Sequence, residues 1–259
     1  MHLARRLSSV LAYAFAITSL AVLAGAAFAD RVPLLGTEAP STVPSIIENE
    51  TGLIVTVSPD SVSCTTNANF EEVIGGDPPG TNYDFPVWSS GTLFAERFLG
   101  QSLSYFGDYD VVSGTPTNPL TPQEGAAGRN VNVFNYVSNV LTGLGNQGFP
   151  EIDAIGEGSI AVYFPTAQAR IALDLVGGNG GSATLNFYRT DGTLIDIVQV
   201  TGLGEFRYGF ATGDLSNTIA GILIQTTDPS GVGIDNVCHE GTVVPARALS
   251  WGSLKTRYR

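Results

Sequence analysis

Short β-rich runs that alternate with turn residues are the feature that most limits how this chain can fold. About ten or eleven such runs, among them 69–74 and 92–94, follow one another between residues 52 and 237, separated by clusters of Gly, Pro, Asn and Asp. The rest of 75–128 has only weak strand signals and is expected to form long loops. The chain lacks the long Ala-, Glu-, Lys- and Leu-rich stretches of helical bundles and coiled coils. We therefore expect an all-β domain.

Three of these runs indicate how the strands are arranged. Large apolar residues alternate with small or polar ones over 171–175, which predicts one face in a core and one towards solvent. The run 219–224 is apolar on both faces and suits a strand buried on both sides. Asp191 and Gly192 separate two further runs and predict a two-residue hairpin loop. Together these patterns predict a two-sheet antiparallel β-sandwich of jelly-roll type.

The start of the chain has the three parts of a secretory signal peptide. Arg5 and Arg6 form a charged start, an apolar run of about 15 residues follows, and small residues at 27–29 suit cleavage. A retained membrane anchor is the alternative, but a bilayer needs roughly 20 apolar residues. We expect a signal peptide at 1–29, an extended leader at 30–49, and a secreted or cell-surface protein with no membrane span in its mature part.

The β domain is predicted to occupy residues 50–244, with a basic tail at 245–259. On a helix, Trp251, Leu254 and Tyr258 of the tail would share one face. The tail resembles short C-terminal tags of exported bacterial proteins, which implies a sorting or attachment signal; the alternative is a frayed terminus. We expect folding not to depend on it.

The charge of the chain argues against nucleic acid as a partner. It contains 24 Asp and Glu against 12 Lys and Arg, which gives a net charge of -12. Such an acidic chain repels phosphate backbones. We therefore expect no nucleic-acid binding.

Two cysteines, Cys64 and Cys238, lie near the two ends of the predicted β domain. Pairing is the default in an exported protein, and a disulfide would tie the first strand region to the last. Two free thiols or a metal-binding pair are the alternatives. We expect a disulfide, with Cα atoms closer than about 7 Å.

The residues that catalysis most often uses are scarce. His239 is the one histidine after the predicted signal peptide, and it follows a cysteine expected in a disulfide. This argues against a Ser-His-Asp or Cys-His site and against zinc. Glu151 and Glu157 resemble the acid pair of jelly-roll endoglucanases, but along a straight strand their Cα atoms would lie about 20 Å apart, too far for a retaining mechanism. We expect no enzymatic activity, with a glycosidase as an alternative.

Several short motifs carry a family resemblance. They are NFE at 69–71, GSIAVYF at 158–164, LNFYRTDGTLI at 185–195, IAGILI at 219–224 and GIDNV at 233–237. Spread over about 63–240, they resemble the exported jelly-roll domains of bacterial surface proteins, including PEP-CTERM-type proteins, and carbohydrate-binding modules. The Pro-Glu-Pro, apolar span and arginine cluster of the PEP-CTERM type do not follow them.

The resemblance implies a structural calcium ion. In carbohydrate-binding jelly rolls this ion commonly joins a Glu of the first strand to an Asp of the last, and the matching residues are Glu71 and Asp235. Calcium takes about six to eight oxygen ligands, so loop carbonyls would complete the site. The alternatives are an exposed strand acid at Glu71 and a turn-forming acid at Asp235.

Aromatic residues between 75 and 128 are the candidates for ligand contact. Tyr83, Trp88, Tyr105 and Tyr109 suit stacking on sugar rings, because a flat ring covers the apolar face of a pyranose. The alternative is that they pin a long loop onto the sandwich. We expect a non-enzymatic module that binds a polysaccharide or cell-surface glycan. A structural protein without a small ligand is the competing interpretation.

Overall fold

The computed structural model describes residues 46–49 and 51–240. The predicted signal peptide, most of the predicted leader and the predicted basic tail lie outside these residues. The described part forms β-strands and two short 3₁₀ turns, Pro59–Ser61 and Ile152–Ala154, and contains no α-helix. In this part, no helix is long and apolar enough to span a membrane.

The described residues form strands β1 to β20, numbered along the chain. Their bounds are β1 (Ile46–Asn49), β2 (Ile54–Val57), β3 (Thr66–Ala68), β4 (Thr81–Tyr83), β5 (Val87–Ser89), β6 (Thr92–Ala95), β7 (Arg97–Phe98), β8 (Ser102–Phe106), β9 (Tyr109–Ser113), β10 (Pro122–Gln123), β11 (Val131–Asn135), β12 (Asn139–Leu144), β13 (Ile155–Gly158), β14 (Ile160–Gln168), β15 (Arg170–Gly177), β16 (Ser182–Tyr188), β17 (Leu194–Thr201), β18 (Phe206–Thr212), β19 (Ile219–Thr226) and β20 (Val232–His239).

The strands form two large antiparallel sheets and two small ones. The first sheet has the order β1-β17-β16-β19-β14-β6-β5. The second has the order β2-β18-β15-β20-β12-β11-β4, with β13 paired to β12 and β3 paired to β20. The small sheets pair β7 with β10 and β8 with β9.

Strands β12 and β14 to β20 confirm the predicted jelly-roll sandwich. In the first sheet they have the order β14-β19-β16-β17, and in the second the order β12-β20-β15-β18. Consecutive strands cross from one sheet to the other, except for the hairpin formed by β16 and β17. This alternation is the double Greek key of a jelly roll.

The main core lies between the two large sheets. The rings of Phe187 on β16 and Phe210 on β18 lie 5.4 Å apart across this interface. Ile171, Leu173 and Leu175 on β15 join the same core, as predicted, whereas Ala172 on the face predicted to meet solvent is buried against Val62 and Cys238. Each large apolar side chain buried in this way stabilises the fold by about 1.5–3 kcal/mol.

A second, smaller core covers the outer face of the first sheet. The predicted two-sided burial of 219–224 is confirmed, because Leu223 packs outwards against a cluster that includes Phe98 and Leu120. These covering residues belong to the segment 75–128, which we expected to be long loops apart from one β run at 92–94. That run is confirmed as part of β6, and the rest of the segment forms β4, β5 and β7 to β10, each two to five residues long.

The hairpin between β16 and β17 has a three-residue loop, not the two-residue loop predicted. The N–H of Arg189 donates to the carbonyl of Thr193 at 2.9 Å and closes the loop. Gly192 has φ of 80°, the left-handed conformation that such loops require at their last position. The Oδ1 atom of Asp191 accepts hydrogen bonds from the N–H and hydroxyl of Thr193, which fixes the turn.

Two further segments, 69–74 and β1, differ from what the sequence predicted. The run 69–74 is not a strand, because β3 ends at Ala68 and Phe70 takes the turn conformation with φ of 58°. The Phe70 ring is fully buried and packs 4.9 Å from the ring of Phe94. Strand β1 pairs with β17, although its four residues fall in the segment predicted as a leader.

Cys64 and Cys238 form a disulfide with Cα atoms 5.1 Å apart, which confirms the predicted pairing. Cys238 lies on β20, and Cys64 lies in the segment just before β3, which pairs with β20. The disulfide therefore ties an early segment of the domain to its last described strand.

Candidate functional site

An aromatic row lies on the outer face of the first sheet, at the edge formed by β5. Trp88 pairs with Leu93 across β5 and β6, and Leu93 pairs with Tyr163 across β6 and β14. Residues paired in this way lie on one face of a sheet. The adjacent pair, Val87 and Phe94, is buried in the main core, so the aromatic row faces outwards.

The aromatic row combines exposure with a rigid support. Trp88 is 56% exposed, whereas Leu93 and Tyr163 are half-buried. Two strand spacings, about 10 Å, separate Trp88 from Tyr163. Strands β5, β6 and β14 contain no charged residue. The row is therefore an uncharged strip that an apolar ring face can cover.

Two of the four predicted ligand-binding aromatics hold backbone segments together. The hydroxyl of Tyr83 donates to the carbonyl of Ile74 at 2.6 Å. The hydroxyl of Tyr109 donates to the carbonyl of Asp228 at 3.2 Å. Both rings are half-buried, so these contacts favour the loop-pinning interpretation for Tyr83 and Tyr109.

Tyr105 lies on β8 and is 40% exposed. The guanidinium of Arg129 lies 5.8 Å from the centre of its ring, and Nη1 of Arg129 donates to its hydroxyl at 3.2 Å. Trp88 lies on β5, Tyr83 on β4, and Tyr105 and Tyr109 on the β8–β9 hairpin. Among the described residues, no ring contact joins two of these four aromatics. The four therefore do not form one stacked surface.

The predicted calcium ligands, Glu71 and Asp235, both contact the turn before β12. Oε1 of the exposed Glu71 accepts a hydrogen bond from the N–H of Asn139 at 3.1 Å. Oδ2 of Asp235, on β20, accepts one from the hydroxyl of Ser138 at 2.7 Å. The fold thus brings the two acids to neighbouring residues of one turn.

A third acid, Asp174, faces Asp235 across β15 and β20. Burial raises the pKa of Asp235, and the negative charges of Asp174 and Glu71 raise it further. Hydrogen bonds from Ser138 and Asn236 act to lower this pKa. Asp174 is itself paired with Arg207, whose Nη1 donates to Oδ1 at 2.7 Å.

The backbone is irregular beside these acids. Asn236 has φ of 48°, and the register between β15 and β20 shifts there. Bulges of this kind re-aim side chains in a strand. Among the described residues, no group of three or more His, Cys, Asp and Glu side chains is placed to hold a metal ion.

Sequence reasoning missed a buried acid cluster formed by Glu96, Asp110 and Glu157. These residues are 0%, 4% and 4% exposed. The hydroxyl of Ser159 lies 2.8 Å from the main-chain carbonyl oxygen of Glu96 and 3.2 Å from Oδ2 of Asp110, so its one proton is shared between these acceptors. Glu157 lies on β13, two residues before Ser159 in the chain.

Charge and burial oppose each other in the buried acid cluster. Burial raises the pKa of Asp110 to about 6, although hydrogen bonds from Ser159 and the charges of Arg97 and Arg129 act to lower it. Oε2 of Glu96 forms an ion pair with Nη1 of Arg97. One signal in the sequence was available: Asp110 and the apolar Val112 share a face of β9.

The residues weighed for catalysis do not assemble into a site with a nucleophile. His239 is buried, its Nε2 lies 3.1 Å from Oγ1 of Thr92, and its ring packs 5.2 Å from Phe164. Burial lowers the pKa of His239 to about 4. Glu151 is exposed in the turn before β13, whereas Glu157 is buried.

The chain matches no family model, no curated protein and no solved structure.

Proposed function

We propose that this protein is an exported, non-enzymatic carbohydrate-binding module, which contacts a polysaccharide or a cell-surface glycan through the aromatic row. The observation that carries the proposal is the exposure of Trp88 on a paired strand, in register with Leu93 and Tyr163. An exposed aromatic ring on a paired strand is a rigid flat surface, and pyranose rings offer flat C–H faces that such a ring can cover.

The surroundings of the row favour a sugar over a protein partner of high charge. The three strands that carry it have Ser, Thr and Gln but no Asp, Glu, Lys or Arg. Ser89, Thr92 and Gln168 are buried, so on these strands the row offers a sugar its apolar surface and the exposed hydroxyl of Thr166. We include Tyr105 as a further contact residue, since its ring is also exposed.

A calcium ion at Glu71 and Asp235 is part of the proposal. Asp174 and Asp235 face each other directly, and like charges at such positions destabilise a sheet. A bound cation would offset that repulsion, with carbonyl oxygens completing its shell. Its role would be structural, because these acids lie on the second sheet and the aromatic row lies on the first.

A glycan array is the test of this function. Wild-type protein should bind one class of polysaccharide saturably, and Trp88→Ala should weaken that binding at least tenfold. Val137→Ala is the control, because Val137 is 87% exposed but lies in the turn between β11 and β12 of the second sheet, away from Trp88 and Tyr105. Absence of any saturable binding would favour a structural protein, and release of reducing sugar would favour a glycosidase.

A further inference from the structure

The β8–β9 hairpin is attached to the sandwich by few contacts. Its strands pair only with each other, and most side chains of β8 are exposed. The N–H of Val112 donates to Oε1 of Gln225 at 2.6 Å, and the hydroxyl of Tyr109 donates to the carbonyl of Asp228 at 3.2 Å. An element with so little buried apolar surface opens more readily than the sheets beneath it.

Asp110 provides the buried attachment at the base of this hairpin. Its Oδ2 accepts hydrogen bonds from the N–H and the hydroxyl of Ser159, at 2.9 Å and 3.2 Å. Its Oδ1 is buried and has no hydrogen-bond partner among the described residues. The carboxyl group is therefore held in place but incompletely solvated, which disfavours its charged form.

The charges that surround Asp110 do not neutralise it. The positive charges of Arg97, on β7, and Arg129, just before β11, favour the ionised form of Asp110. Ser159 also lies within hydrogen-bond distance of the main-chain carbonyl of Glu96, whose carboxylate is paired with Arg97, and Glu157 lies two residues before Ser159 on β13. Tyr105 lies opposite on β8, and β19 contributes Gln225 and no charged residue. Arg97 is thus shared with Glu96, and burial outweighs the effect of the two arginines on Asp110.

We infer that the β8–β9 hairpin is a proton-controlled strap, held closed on the sandwich while Asp110 is protonated and loosened when Asp110 ionises. Opening would hydrate the carboxylate and remove the cost of a charge in a dry environment. The inference does not depend on the proposed function, because the contacts of Asp110 with Ser159 are the same whether or not Tyr105 also contacts a glycan.

The direction of the effect follows from the pKa of Asp110. Burial raises it from 3.8 to about 6. Proton binding therefore favours the closed strap at low pH, and this contribution is lost as pH rises through about 6. The equilibrium constant for closing the strap should fall about tenfold between pH 5 and pH 7.5, because Asp110 of the open hairpin titrates like a free Asp.

Loosening the strap would change what the surface presents. Tyr105 would lose its two contacts with Arg129, the guanidinium beside its ring and the hydrogen bond to its hydroxyl. Val112 would withdraw from the outer apolar cluster and uncover side chains such as Tyr188 and Leu223. A ligand that contacts Tyr105 would therefore bind this face differently on the two sides of pH 6.

Hydrogen–deuterium exchange of the peptide 102–113 tests the strap. After correction for intrinsic exchange, wild-type protein should open about tenfold more often at pH 7.5 than at pH 5. Asp110→Asn keeps an oxygen for Ser159 but cannot ionise, so its exchange should not depend on pH. Asp60→Asn, an exposed acid in the 3₁₀ turn 59–61 beside β15 and β18 of the second sheet, should behave like wild type.

Either of two results would overturn the inference. One is wild-type exchange of this peptide that is the same at both pH values, which needs no variant to interpret. The other is a folded Asp110→Asn protein that keeps the wild-type pH dependence. Thermal unfolding at pH 5 establishes whether each variant is folded before its exchange is compared.

Discussion

At the scale of single residues, buried carboxylates organise the loops of this protein. Asp228 is fully buried, and its oxygens accept hydrogen bonds from the N–H groups of Asn179, Gly181 and Ser230 at 2.7–2.9 Å. Asp228→Ala leaves these donors unsatisfied, and we expect it to lower the free energy of unfolding, measured in urea, by about 3 kcal/mol. Asp214→Ala, in an exposed turn, should cost much less; equal losses would contradict this role for Asp228.

His239 should make the protein sensitive to acid. Burial lowers its pKa from 6.5 to about 4, so the folded state binds this proton less readily than the unfolded state. Its contribution to stability is complete above pH 6.5 and is lost as pH falls to about 4, by up to roughly 3 kcal/mol. The free energy of unfolding, measured in urea, should fall less steeply across this pH range for His239→Leu than for the wild type. Parallel curves for the two proteins would show that His239 does not cause the loss.

The proposed calcium ion has a direct thermal signature. Chelator should lower the melting temperature of the wild type by about 5 °C, since an ion bound only to the folded state stabilises it. Asp235→Asn should remove this sensitivity, whereas Asp60→Asn, an exposed acid elsewhere, should keep it. A wild type that does not respond to chelator would rule out this structural calcium ion.

At the scale of elements, the disulfide is the strongest single constraint on the unfolded chain. Cys64 and Cys238 are 174 residues apart, so the chain-entropy model gives a stabilisation of about 5 kcal/mol. Urea unfolding of Cys64→Ser/Cys238→Ala should show most of this loss relative to oxidised wild type. A loss under 1 kcal/mol would mean that the unfolded chain is already restricted by other contacts.

The elements that the sequence predicted well are those whose pattern is local. The run 219–224 and the core-facing residues of 171–175 were correctly predicted because burial between the sheets sets their apolar pattern. Ala172 is buried on the other face by Val62 and Cys238, which no local pattern shows. Of strands β4 to β10 only β6 was predicted, from the run 92–94; the others have two to five residues and too short a pattern to be recognised. The run 69–74 had strand-forming residues, but Phe70 is needed in the core and the backbone turns to place it there.

At the scale of the whole molecule, fold was more accessible to sequence reasoning than site. Turn spacing and two cysteines predicted a jelly-roll sandwich closed by a disulfide, and both are confirmed. Trp88 was among the predicted contacts, but Leu93 and Tyr163 were not, because the register of three strands decides which side chains lie together. The buried acid cluster was missed for the same reason.

The most direct test of the carbohydrate-binding proposal uses the fluorescence of Trp88. The chain has two Trp residues, Trp88 and Trp251, so Trp251→Phe leaves Trp88 as the single reporter. Titration with an oligosaccharide of the class that binds on an array should shift its emission saturably, with a midpoint equal to the dissociation constant from calorimetry. Binding by calorimetry with unchanged Trp88 emission would contradict the proposal, because the sugar would then contact another surface.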